Sequence, residues 1–66
     1  MRDHMVAYFH LLKSIEIMSD ADDETKIKSA YTLFNTVTQK ELTMTEKRVV
    51  EKEWKHWRIY SKHKNN

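Results

Sequence analysis

The chain contains no cysteine, no glycine and no proline in its 66 residues. Without cysteine there is no disulfide to brace a small fold, and the composition fits a reducing cytoplasm. The absence of glycine and proline constrains more sharply, because average usage would supply about eight of the two together in a chain this long. Tight hairpin turns need φ above zero and phosphate-cradling loops need a backbone without a Cβ, so both are disfavoured. No run approaches the roughly 18–20 apolar residues of a membrane span, and the amino terminus lacks the basic, apolar, small-residue order of a secretion signal. Met5 to Leu12 is the most apolar stretch, and His10 and Lys13 interrupt or close it. A soluble, cytoplasmic, all-α protein with no membrane contact is expected, with short polar connections between its helices.

Size sets a thin stability margin. One domain of this length buries only about 60% of the surface of its unfolded chain. A core that small rarely supplies more than roughly 3–5 kcal/mol, and self-association is a common remedy. The net charge of +2 conceals a division along the chain. Residues 1–24 hold Arg2 and Lys13 against Asp3, Glu16, Asp20, Asp22, Asp23 and Glu24, a net of −4, whereas residues 25–66 hold ten basic side chains against four acidic ones, a net of +6. Such separation bears on association as well as solubility.

Apolar spacing of three and four residues predicts three helices, over about 2–18, 22–37 and 44–62, packed as a small three-helix bundle in a single domain. The first is apolar around most of its circumference: Met5, Ala7, Tyr8, Phe9, Leu11, Leu12, Ile15 and Met18 share one side, and Val6 and Ile17 lie nearly opposite Tyr8. That breadth suits a central helix, and Val6 and Ile17 are candidates for self-association into a homodimer. Ser19 or Asp20 is placed to cap the second helix, with Asp22, Asp23 and Glu24 favouring the positive end of its dipole. Its core stripe reads Ile27, Ala30, Tyr31, Phe34 and Val37, flanked by Leu33. Gln39 to Leu42 forms a polar connection, and Thr43 with Glu46 spells a capping box at the start of the third helix.

The chemistry-bearing residues resolve mostly into ordinary roles. Asp20, Asp22 and Glu24 alternate like the opening of a calcium loop, but Thr25 and Tyr31 stand where an EF-hand needs glycine and a bidentate glutamate. His4 and His10 point about 120° apart on a helix, and His56 and His63 stand two turns apart, so neither pair chelates one ion within a chain. No metal or cofactor is expected, an intersubunit histidine site being the one alternative. Ser14 lies one turn from His10 without an orienting acid or an oxyanion-hole motif, and no catalysis is expected.

The third helix carries the functional signal. At about 100° per residue, Val50, Trp54, Trp57 and Ser61 form one stripe, and Arg48, Lys52, Lys55, Ile59 and Lys62 gather opposite. Large aromatics at helical spacing are core residues first, which leaves the basic stripe as the candidate contact surface. Ile59 is its unexpected member, since solvation alone would favour a polar residue there. Two binding functions follow. The first is a small regulatory or inhibitory protein that binds a protein partner through helical surfaces, using Arg48, Lys52, Lys55, Arg58, Ile59 and Lys62. The alternative is a nucleic-acid-binding regulator with a helix-turn-helix-like layout, holding the phosphate backbone with the same basic face. The run Trp54-Lys55-His56-Trp57-Arg58 contains no adenine-reading asparagine, so phosphate contact is the nucleic-acid mode that remains.

Overall fold

The computed structural model describes the backbone of residues 1–64 and the side chains of residues 1–61. It contains three helices, α1 (Asp3–Met18), α2 (Asp23–Thr38) and α3 (Met44–Lys64), and no strand among the described residues. Cross-helix partners fix their directions. Glu16 and Tyr8 of α1 meet Lys26 and Tyr31 of α2 in reverse order, whereas Arg2, Tyr8 and Glu16 meet Glu46, Glu51 and Arg58 of α3 in the same order. The chain therefore runs up, down and up, with α1 packed along both neighbours. This central position explains the wide apolar arc of α1, because one side faces α2 and another faces α3.

Each helix end has a local cause. α1 stops where Ser19 turns extended, its backbone N–H closing on the Ile15 carbonyl at 2.9 Å. The Ser19 hydroxyl then accepts from Ala21 N–H at 3.1 Å, and the chain stays out of helix until Asp22. Asp22, not Ser19 or Asp20, is the cap of α2: its carboxylate accepts from Thr25 N–H at 2.9 Å. That hydrogen bond also holds the Asp22 carboxyl below its ordinary range. α2 closes without glycine, by placing Gln39 in the left-handed region at φ 56°, ψ 32°. Local hydrogen bonds secure this end: Gln39 N–H donates to the Asn35 carbonyl, the Thr38 hydroxyl to the Phe34 carbonyl, and the Asn35 side-chain amide to the Lys40 carbonyl. The capping box of α3 forms as expected, with Glu46 N–H donating to Thr43 Oγ1 at 3.1 Å and Thr43 N–H to Glu46 Oε1 at 3.0 Å.

The core is built by Met5, Tyr8 and Leu12 of α1, Ala30 and Phe34 of α2, Leu42 of the second connection, and Val50 and Trp54 of α3. Tyr8 sits at its centre, edge-on to Tyr31 with centroids 5.3 Å apart and tilted against Phe34 at 5.9 Å. Its hydroxyl escapes the apolar surroundings by donating to Glu51 at 2.8 Å, and Lys47 in turn reaches the same carboxylate oxygen at 2.7 Å. Burial, with the Glu51 carboxylate at its oxygen, pushes the Tyr8 phenol well above its ordinary range. Tyr31 fastens the second connection by accepting from Leu42 N–H at 2.9 Å. Trp54 is fully buried, and its indole N–H has no hydrogen-bond partner among the described residues. Trp57 is half-buried against the core.

One expected core assignment changes: Val37 is exposed, and Leu33, expected on the flank, is 46% exposed. The buried face of α2 is centred between Ala30 and Tyr31 and continues toward Thr38, which turns Val37 away, and Leu42 from the connection closes that end of the core. Lys26 is buried as well, its ammonium 3.0 Å from Glu16.

Candidate functional site

The structure divides the cations into those spent inside the molecule and those presented outward. Arg58 of α3 forks onto Asp23 of α2 at 2.5 and 3.0 Å and reaches Glu16 of α1 at 3.4 Å, while its guanidinium lies over the Trp54 ring, 4.7 Å from the centroid. With Lys26 also on Glu16, these four charges join all three helices at one end of the bundle. The Arg58 fork holds the Asp23 carboxyl below its ordinary range, and the Asp23 carboxylate raises the Arg58 guanidinium. Lys47 is held by Glu51 and the Tyr31 ring, Lys13 stacks on Phe9 and Trp57, and Arg2 pairs with Glu46. The acidic amino-terminal third and the basic remainder of the chain are thus partly neutralised against each other within one molecule.

Exposed and without ion pairs among the described residues are Lys28 of α2, Lys40 of the second connection, and Arg48, Lys52 and Lys55, of which the last three share one helix. These three lie on the outer face of α3. Ile59 shares their stripe and is 55% exposed. Of the binding residues read from the sequence, the structure therefore keeps Arg48, Lys52, Lys55 and Ile59 together on one face and ties Arg58 to the other helices. The Lys62 side chain lies outside the described residues. Helix length bears on Ile59 alone, because Arg48, Lys52 and Lys55 precede Arg58 and lie alongside the other helices. α3 has 21 residues against 16 in each of α1 and α2, and Arg58 already aligns with Glu16 near the end of α1, so its last turns project past the other two helices.

The other candidate sites are less assembled. Ile17 is 76% exposed, but Val6 is half-buried, so the two do not form one open apolar face. Among the described residues no three histidine, cysteine, aspartate or glutamate side chains cluster to hold a metal ion. Ser14 and His10 are both exposed on α1. An open groove of about 370 Å³ separates α2 from α3, lined by Glu24, Ile27, Lys28, Tyr31, Thr32 and Lys47. No described helix is long and apolar enough to cross a membrane. Comparison with protein-family models, curated proteins and solved structures finds no match for this chain.

The sorting of the cations was not visible in the sequence. A helical wheel places Arg58 about 80° from the centre of the buried stripe, where a long side chain can turn either way. Its partner Asp23 is 35 residues distant. The exposed trio was legible because it stands opposite Trp54.

Proposed function

We propose that the protein is a non-catalytic regulator that acts by binding an acidic surface of another protein through the outer face of α3. The observation that carries this reading is the contrast among the cations: Arg58, Lys26, Lys47 and Arg2 are tied to carboxylates of the same chain, while Arg48, Lys52 and Lys55 stand exposed along one stripe without ion pairs among the described residues. Exposed basic side chains facing a complementary acidic surface steer the encounter and orient the partner. Ile59 favours a protein over a phosphate backbone, because an exposed aliphatic side chain in the stripe finds apolar surface on a protein and none on a phosphate ribbon. A homodimer through Val6 and Ile17 is the weaker arrangement, since Val6 is already half-covered by its own chain.

Fluorescence anisotropy tests the reading, using a labelled glutamate-rich peptide and a labelled mixed-sequence duplex DNA at low and physiological salt. The peptide is expected to bind the wild type and to be released when Lys52→Glu and Lys55→Glu are combined, with helicity unchanged. Absence of peptide binding at low salt, or binding indifferent to the charge reversal, removes the reading. Duplex binding tighter than peptide binding, with a steep salt dependence, transfers the function to nucleic acid.

A further inference from the structure

The outer face of α3 contains more than its cations. Met44, Arg48, Lys52, Lys55 and Ile59 follow one another at steps of four, four, three and four residues, which is the spacing of a helix-packing seam. All five are exposed, Met44 at 65% and Ile59 at 55%, so the seam has an uncovered apolar side chain at each end and three cations between. The 15 residue steps from Met44 to Ile59 span roughly 22 Å. From this pattern we infer that the occupant is an α-helix of the partner, acidic along its middle and apolar at two positions about four turns apart.

The inference rests on the reading of α3 as a docking surface and specifies the shape of what docks. Seam residues recur about every 5.6 Å along α3, close to the 5.4 Å pitch of a second helix. One residue per turn of an acidic helix thus stays opposite one residue of the seam throughout. An extended peptide repeats its same-face side chains about every 6.7 Å and falls out of step by about 4 Å over the same length. Charge complementarity selects carboxylates for the middle positions, because none of Arg48, Lys52 and Lys55 has an ion-pair partner among the described residues. Met44 and Ile59 then supply the anchors that charge alone lacks, and the long aliphatic stems of the lysines and arginine cover apolar surface between them.

The experiment compares two synthetic peptides of identical composition and equal helix propensity. In one, glutamates at four- and three-residue spacing are flanked by leucines on the same face; in the other, the same residues are distributed around the helix. Anisotropy with the full chain is expected to show the patterned peptide binding about tenfold tighter or more, and circular dichroism to show it gaining helicity in the complex. Met44→Ser and Ile59→Ser, both at exposed positions, are expected to weaken the patterned peptide by about tenfold each while leaving the shuffled one unchanged. Equal affinity for both peptides, still abolished by reversing Lys52 and Lys55, overturns the helical partner and leaves charge-directed docking in place. Failure of both peptides and of the glutamate-rich peptide overturns both. Concentration-dependent self-association that Ile59→Ser abolishes would make a second copy of the chain the occupant, and duplex DNA displacing the patterned peptide would make it nucleic acid; either result overturns the proposal.

Discussion

Replacing Arg58 with alanine isolates the ion cluster that joins the three helices. The fork to Asp23 is the principal loss, at 2.5 and 3.0 Å between side chains 21% and 43% exposed. A pair so partly hydrated is worth about 1 kcal/mol, the upper end for surface ion pairs. The longer contact to Glu16 adds a few tenths, and stacking over Trp54 adds about 0.5–1 kcal/mol. Loss of Arg58 is therefore expected to cost about 2 kcal/mol, which in a domain of this size lowers Tm by about 8–16 °C. Urea denaturation and thermal melts followed by circular dichroism measure the change, with Lys52→Ala as the exposed control expected within about 0.5 kcal/mol of wild type. Arg58→Lys keeps the charge without the fork and should recover only part of the loss. Acid supplies a second reading. Because the Asp23 carboxyl titrates below its unfolded value, the pair contributes fully above the ordinary aspartate range, near pH 3.9, and its contribution fades as pH falls through the lower folded value. The gap between wild type and Arg58→Ala should narrow over that interval. An Arg58→Ala variant as stable as the Lys52→Ala control would refute the assignment of Arg58 to the fold.

Two further substitutions test other parts of the architecture. Gln39→Gly is expected to stabilise the protein by about 0.5–1 kcal/mol in urea titrations, since glycine takes the left-handed cap conformation without the steric cost of a Cβ; an unchanged or lower midpoint would contradict the cap geometry. Tyr8→Phe removes the hydroxyl between the core and Glu51 and should cost about 1–2 kcal/mol in the same assay, with Lys47 still holding the carboxylate; a neutral result would show that the buried hydroxyl contributes nothing net.

The sequence carried the helices because their signals are local. The capping box needs only Thr43 and Glu46, and the three-and-four spacing of Met5, Tyr8 and Leu12 needs only one helix. The cap of α2 was harder to choose, since Ser19, Asp20 and Asp22 all have the required side-chain oxygen. The choice is made by the turn, where Ser19 Oγ is already occupied by Ala21 N–H. Burial of Lys26 and capture of Arg58 depend on carboxylates that meet them only after the helices pack, 10 and 35 residues away in the chain. Val37 misled for a related reason: periodicity continues an apolar stripe to the end of a helix without revealing that Leu42 closes that end of the core. The candidate site was readable where it depends on the angle around one helix, at Arg48, Lys52, Lys55 and Ile59, and unreadable where a cation had a choice of partners.

That division between structural and presented cations is most directly tested by an amide chemical-shift map of the isotope-labelled full chain titrated with the patterned acidic peptide. Shifts are expected along Met44, Arg48, Lys52, Lys55 and Ile59, with Glu16 and Lys26 undisturbed because Arg58 remains in place. Shifts centred on the groove of Ile27, Tyr31 and Thr32, or on the α1 face of Val6 and Ile17, would place binding elsewhere and contradict the assignment of α3 as the docking surface.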